Sequence, residues 1–165
     1  MMKRLFLLRH AKAENPAAGL ADFKRALNER GRKDAQALGA FVKKENLTFD
    51  LALCSTALRT RETAELVLQS AELPVTLRSD QRIYEADLAR LLQVVSEIEN
   101  DKSAVLLVGH NPGVGELVNR LTGRVEQMAT CTLALLIFAA DDWHQVAEEG
   151  GSLGNLSWIV KPGEF

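Results

Sequence analysis

Side chains able to bind or attack a phosphoryl group follow three short apolar stretches of the chain. Arg9 and His10 come directly after the apolar residues 5–8, and His110 comes two residues after the apolar residues 104–108. Ser55 follows residues 49–54, and Arg59 lies one helical turn further on. Guanidinium forks and imidazoles match the oxygens of a tetrahedral, multiply charged anion. These residue types therefore indicate a site for phosphoryl chemistry.

His10 is the candidate nucleophile of this chemistry. A neutral imidazole attacks well near pH 7, and neighbouring cations disfavour its protonation. Arg9, Arg59 and His110 would then neutralise the charge on the transferred oxygens, a role that proteins fill with side chains when no Mg²⁺ is present. The sequence has no metal-binding motif, so it predicts a metal-independent reaction that needs no cofactor.

A departing group needs a proton, and three carboxyl groups could supply it. Glu85 stands just before a predicted helix and is the preferred candidate. Glu14 and Asp22 lie in the polar stretch after the first apolar run and are the alternatives. The choice among the three stays open at this level.

Apolar runs alternate with amphipathic segments along the chain, which predicts strands alternating with helices. The apolar runs lack a period of two, as expected for strands buried on both faces of a parallel sheet. Such sheets bind ligands at the carboxyl ends of their strands. The pattern predicts a single domain over residues 1–165, an α/β three-layer sandwich with a mostly parallel central sheet and helices on both faces.

The helix starts and the C-terminal part are predicted from local signals. Late strands are expected at residues 131–139 and 155–160, one of them antiparallel, joined by a polar turn segment that contains three glycines. The helix starts rest on residues that favour the first turn of a helix: Asn28, Ser55 or Thr56, Asp87, and Asn111 with Pro112.

Composition excludes several classes of protein. The 165 residues carry a net charge of −2 with a pI near 5.9, which argues against a general nucleic-acid binder. The apolar runs are shorter than the roughly 20 residues of a membrane span, and the first is too short for a signal sequence. We therefore expect a cytoplasmic protein without a membrane or nucleic-acid partner, in which Cys54 and Cys131 are reduced.

Four segments resemble motifs of one family. Leu8-Arg9-His10-Ala11 resembles the signature of the histidine phosphatase superfamily, the phosphoglycerate-mutase-like proteins. The segment at residues 55–63 looks like the second motif of that superfamily, and Gly109-His110-Asn111-Pro112 looks like the third. The short chain is similar to the SixA-type phosphohistidine phosphatases, and residues 25–31 resemble their Arg-Pro-Leu-Thr-x-x-Gly segment.

This resemblance implies a phosphoglycerate-mutase-like fold and a role for each matched residue. His10 is implied as the phosphorylated nucleophile, and Arg9, Arg59 and His110 as phosphate ligands, with Arg25 as a further candidate. The chain departs from the pattern at Ala11, where glycine is usual, and at Ala26, where proline is usual. An alanine at the first position would be strained if that position required a positive φ.

Three functions follow from these observations. The first is a phosphatase with a phosphohistidine intermediate that acts on phosphohistidine carried by a protein, as the resemblance to SixA-type proteins implies. The second uses the same chemistry on a small phosphomonoester, and a deep walled pocket would favour it over an open site. The third is a phosphate-binding or phosphoprotein-binding module without turnover.

Overall fold

The computed structural model describes residues 2–165 and contains a six-stranded sheet with helices on both faces. The strands are β1 Met2–Arg9, β2 Leu51–Cys54, β3 Leu77–Ser79, β4 Ala104–Gly109, β5 Leu133–Ala139 and β6 Gly154–Val160. The helices are α1 Glu29–Lys44, α2 Leu58–Ser70, α3 Leu88–Ser96, α4 Gly113–Thr122 and α5 Trp143–Leu153.

The strand order β3-β2-β4-β1-β5-β6 places three motif-bearing strands side by side. β3, β2, β4 and β1 are parallel neighbours, whereas β5 is antiparallel to β1 and β6 is antiparallel to β5. The predicted α/β sandwich with a mostly parallel sheet is thus confirmed. Because β4 lies between β1 and β2, the residues that follow these strands meet at one edge of the sheet.

The sheet is buried on both faces, which explains the unbroken apolar runs. Along β1, Leu5 and Leu7 pack in the core beneath α3, α4 and α5, while Phe6 and Leu8 pack beneath α1 and α2. All four side chains are fully buried. Burial of each contributes about 1.5 to 3 kcal/mol. Packing on both faces of the sheet therefore fixes residues 5–8, which precede Arg9 and His10.

Two of the predicted helix starts are confirmed and two are wrong. The side chains of Asn28 and Asp87 cap α1 and α3 by accepting from backbone amides three residues on. Ser55 and Thr56 do not begin α2. This helix begins at Leu58, and its N-cap residue, Ala57, makes no capping hydrogen bond through its side chain. Asn111 and Pro112 likewise precede α4, which starts at Gly113, and Asn111 Nδ2 donates instead to the Met128 carbonyl at 2.8 Å.

The glycine-containing segment between β5 and β6 is a helix, not the predicted turn. Its residues Trp143, Val146, Ala147 and Gly150 recur at helical spacing and are buried. Asp142 caps this helix by accepting from Gln145 N at 2.7 Å. Among residues 2–165, no helix combines the length and apolarity that a membrane crossing requires.

Candidate active site

A cavity of about 500 Å³ opens at the edge of the sheet where β1, β2 and β4 end. The candidate residues Arg9, His10, Arg25, Arg59, Glu85 and His110 all line it, together with Asp22, Ala86, Asp87, Asn111, Pro112 and Glu116. The side chains that the sequence singled out on separate segments are therefore brought to a common space.

His10 lies on the floor of this cavity with one ring nitrogen committed to the backbone. Its Nδ1 is 2.7 Å from the carbonyl oxygen of Ala11. A carbonyl oxygen only accepts hydrogen bonds, so the ring proton lies on Nδ1 and the lone pair lies on Nε2. Burial lowers the pKa of His10 to about 4, and the positive charges of Arg59 and Arg9 act in the same direction. The imidazole is therefore neutral near pH 7.

His110 faces His10, with ring centroids 5.4 Å apart. Arg59 Nη2 lies 3.4 Å from its Nδ1, and Ser55 Oγ lies 2.7 Å from its Nε2. Because a guanidinium only donates, Nδ1 accepts and the proton lies on Nε2, which donates to Ser55. Burial lowers the pKa of His110 to about 3, with further contributions from His10 and Arg59. Both imidazoles are thus neutral near pH 7.

Two of the arginines keep buried donors without partners. Arg9 Nη1 donates to the Met128 carbonyl at 3.2 Å, and Arg59 donates through both terminal nitrogens to Asp22. The Nε atoms of Arg9 and Arg59 are buried and have no hydrogen-bond partner. Burial also lowers the pKa of Arg9. An unpaired buried donor is costly.

The three candidate acids occupy different positions. Asp22 accepts hydrogen bonds from Tyr84, Arg25 and Arg59, which hold its pKa well below the usual range, so it is ionised at neutral pH and has no proton to donate. Glu14 is exposed, does not line the cavity, and contributes its carbonyl oxygen to Arg25 at 2.8 Å. Glu85 lines the cavity at its exposed rim.

The backbone at Glu85 adopts a left-handed conformation, with φ of 49°. Such a conformation is uncommon for a residue with a Cβ and costs of order 1 kcal/mol or more. The segment is held there because Gly113 lets α4 approach closely: a Cβ on Gly113 would lie 2.7 Å from the carbonyl oxygen of Ala86. Glu85 lines the cavity from this segment.

The segment at residues 25–31 is hydrogen-bonded both to α2 and to the start of the loop after β1. The amide of Leu27 donates to Glu62 Oε1 at 2.8 Å, and the amide of Asn28 donates to the carbonyl of Lys12 at 3.0 Å. A Cβ on Gly31 would lie 2.0 Å from that same carbonyl oxygen, so only glycine fits. Glu62 and Thr63, which complete the second motif, thus act as structural anchors.

Ala11 is accommodated without strain. Its φ lies outside the left-handed region, its side chain is fully buried, and its amide donates to Thr63 Oγ1 at 3.0 Å. The departure from glycine at this position therefore leaves the neighbouring His10 in place.

A second depression of about 510 Å³ adjoins the cavity and shares four lining residues with it, Arg9, Asn111, Pro112 and Glu116. It continues along α4 toward residues 125–129, and its lining includes amide and carboxylate side chains. The cavity that holds His10 and the three arginines is thus one end of a longer groove. Among residues 2–165, no cluster of three or more His, Cys, Asp or Glu could hold a metal ion.

Fold and site define the class of protein. Residues 5–134 match the model of the histidine phosphatase superfamily (branch 1), and the chain belongs to this superfamily. It is a phosphatase with the phosphoglycerate-mutase-like fold and acts on a phosphate-bearing substrate.

Within the superfamily the chain is of the SixA type. The candidate phosphohistidine phosphatase SixA of Nakamurella multipartitia superposes with a TM-score of 0.84 at 25% identity, covering 98% of this chain and 97% of that one. The corresponding SixA protein of Agrobacterium tumefaciens gives 0.83 at 26% identity, covering 97% and 98%. An uncharacterised protein of Mycobacterium leprae is 33% identical over 119 residues, which are 70% of this chain and 71% of the relative.

Proposed function

We propose that this phosphatase removes the phosphoryl group from phosphohistidine carried by a protein and that His10 is phosphorylated during the reaction. The observation that carries the proposal is the hydrogen bond from His10 Nδ1 to the Ala11 carbonyl. It leaves the Nε2 lone pair free inside a cavity lined by three arginines. A neutral imidazole so placed is ready to attack phosphorus.

In the first step, His10 Nε2 forms a bond to phosphorus while the bond between phosphorus and the substrate imidazole nitrogen breaks. The substrate imidazole leaves with the electron pair of that bond and takes up a proton from solvent water at the open rim of the cavity. Arg9, Arg25, Arg59 and His110 stabilise the charge on the transferred oxygens. Since the bond formed and the bond broken are both between phosphorus and an imidazole nitrogen, the transfer is close to thermoneutral.

In the second step, a water oxygen attacks phosphorus, the bond to His10 Nε2 breaks, and inorganic phosphate is released. The water loses a proton as it attacks, and Glu85 at the rim of the cavity is the proposed acceptor. In the first step the same carboxyl group would be the donor when the leaving group is less easily displaced than imidazole. Its exposed position at the rim fits a substrate that makes modest demands on an acid.

The adjoining depression supports a protein substrate. A small phosphate ester would be contained in the first 500 Å³, whereas the chain on either side of a phosphorylated histidine needs a path out of the cavity. The second depression of about 510 Å³ offers such a path along α4. Its amide side chains, including Asn119 and Gln127, can bond to a polypeptide backbone.

The intermediate is tested by rapid quench with labelled phosphoramidate or phosphohistidine peptide. We expect a label on the wild-type protein that survives alkali and is lost in acid, and none on His10→Ala. Absence of an acid-labile label in the wild type, or full activity of His10→Ala, would overturn the mechanism.

The substrate is tested by comparing kcat/KM for a phosphohistidine peptide with that for small phosphomonoesters. Preference for the peptide, abolished in His10→Ala, is the expected result. Preference for one of the esters would assign the small-molecule function instead. Tight phosphate binding without turnover of any of these compounds would leave a binding module.

A further inference from the structure

The carboxylate of Asp22 connects two arginines that come from different parts of the chain. Its Oδ1 accepts from Arg25 Nε at 3.1 Å and Nη2 at 2.9 Å. Its Oδ2 accepts from Arg59 Nη2 at 3.0 Å, and its backbone carbonyl accepts from Arg59 Nη1 at 2.9 Å. Arg25 lies in the loop after β1, whereas Arg59 lies in the first turn of α2.

From this geometry we infer that Asp22 is a positioning residue that holds Arg25 and Arg59 in the orientation in which both bind one phosphoryl group. The inference rests on the proposed function, because it assigns these arginines to the phosphate. Each guanidinium has five N–H donors. Two of the donors of Arg59 and two of those of Arg25 remain after the bonds to Asp22, to the Glu14 carbonyl and to His110 Nδ1. Enough donors are therefore left for an anion in the cavity.

Tyr84 fixes the carboxylate in turn. Its hydroxyl donates to Asp22 Oδ2 at 2.6 Å, and its ring stands edge-on against His110 with centroids 5.6 Å apart. The hydrogen bond raises the pKa of Tyr84 to about 12, so the hydroxyl keeps its proton. Asp22 thus joins the loop after β1 to α2 and to the segment before α3, and through Tyr84 it reaches the second imidazole.

If Asp22 acted only through its charge, the expected change in phosphate affinity on removing the carboxylate would have the opposite sign. An anion beside two arginines competes with phosphate for their donors and repels its charge, so electrostatics alone predicts tighter phosphate binding when the carboxylate is removed. Positioning predicts weaker binding, because long arginine side chains released from Asp22 must be ordered again by the ligand. The sign of the change separates the two roles.

The test compares wild type with Asp22→Asn, which keeps the shape but removes the charge and replaces one acceptor oxygen by a donor. Binding of inorganic phosphate is measured by titration calorimetry, and kcat and KM are measured with a phosphohistidine peptide. We expect the Kd of phosphate to rise about tenfold and kcat/KM to fall about 10- to 100-fold, with effects on both KM and kcat. Unchanged or tighter phosphate binding would overturn the inference.

A matched control uses Glu99→Gln. Glu99 accepts from Arg78 at 2.9 Å away from the cavity, and its side chain is exposed to a similar extent as that of Asp22, 47% against 42%. We expect no effect of this change on phosphate affinity, and a loss equal to that of Asp22→Asn would overturn the specific role.

Two further variants exclude a general defect in folding. Tyr84→Phe leaves Asp22 charged but removes one anchor, so a smaller loss in the same direction is expected, and tighter binding would contradict the inference. Arg25→Ala combined with Asp22→Asn should cost less than the sum of the single losses, whereas strict additivity would refute the coupling. Phosphate binding needs no turnover, so these results stand apart from the test of the phosphorylated intermediate.

Discussion

Burial and nearby arginines keep His10 unprotonated, which leads to a specific prediction for the dependence of activity on pH. The pKa of this imidazole is lowered from 6.5 to about 4. The profile of kcat/KM reports the ionisation of groups in the free enzyme. We therefore expect its acidic limb to lie near pH 4, well below the range of an ordinary histidine.

The size of the effect follows from the two pKa values. At pH 5.5, an imidazole with a pKa of 6.5 is neutral in about a tenth of the molecules. With the pKa lowered to about 4, about 97% of the molecules hold a neutral nucleophile at that pH. Going from pH 7 to pH 5.5 should thus change kcat/KM by less than about twofold, compared with about an eightfold loss for an unperturbed histidine.

The assay measures initial rates on a phosphate ester that is stable in acid, with the ionisation of the substrate determined separately. A titration of the His10 imidazole by NMR, assigned with His10→Gln, provides an independent reading of the same equilibrium. Half-maximal kcat/KM near pH 6.5, together with an NMR midpoint at that pH, would refute the account of the neutral nucleophile.

Four other outcomes are expected. Ser55→Ala removes the acceptor of the His110 Nε2 proton, so kcat should fall by about tenfold. Ser96→Ala is the control and should leave kcat unchanged, because the Ser96 hydroxyl donates to the Gln93 carbonyl within an exposed helix turn. Binding of sulfate, which stays a dianion at pH 6, should be accompanied by proton uptake, because a dianion beside His110 raises the pKa of this imidazole. Calorimetry in buffers of different ionisation enthalpy measures the uptake, and zero uptake would contradict the prediction. The free energy of unfolding should fall by about 2 kcal/mol per imidazole from pH 7 to pH 5, because His10 and His110 bind protons more weakly in the folded state than in the unfolded chain. Denaturant titrations at the two pH values measure the change, and equal stability would exclude the lowered pKa values. Gly31→Ala should lower the free energy of unfolding by about 2 kcal/mol or more, because its Cβ meets the Lys12 carbonyl, and an unchanged melting temperature would argue against that close contact.

The sheet could be predicted from the sequence because its strands carry a strong local signal. Residues 5–8 and 104–108 are fully buried on both faces, and no alternating polar positions interrupt them. Order along the chain, however, does not fix order across the sheet. That β4 lies between β1 and β2 depends on pairing between distant segments, and it is this pairing that brings His10, Ser55 and His110 together.

The prediction of a turn at α5 is wrong because three glycines indicate a turn, whereas the apolar residues of this segment recur at helical spacing. Gly150 lowers helix propensity by about 1 kcal/mol, yet it is needed where α5 crosses α4. A Cβ at this position would lie 2.5 Å from Leu121 Cδ2. The buried positions of Trp143 and Val146 and the cap at Asp142 were the signals that could have identified the helix.

The network around Asp22 could not be derived from sequence patterns. Asp22 and Tyr84 are separated by 62 residues, and neither position follows a periodic or spaced motif. Their contact arises from the path of an irregular loop over the end of the sheet. The capping signals at Ser55 and Asn111 mispredict the helix starts for a related reason. Asn111 bonds to the distant Met128 carbonyl. Ser55 Oγ bonds to His110 and to the Thr60 hydroxyl, and the amide from which it accepts is that of Ala57, which precedes α2.

The arrangement of charge explains why the same arginines can serve two purposes in this fold. Arg9 and Arg59 disfavour protonation of both imidazoles, which preserves the lone pair of His10. In the proposed mechanism, an entering phosphoryl dianion offsets the charge of these cations, so their effect on the pKa of His110 weakens. We propose that His110 then gains a proton on Nδ1 and donates to a phosphoryl oxygen, while the bond to the Ala11 carbonyl keeps the proton of His10 on Nδ1 and its lone pair on Nε2.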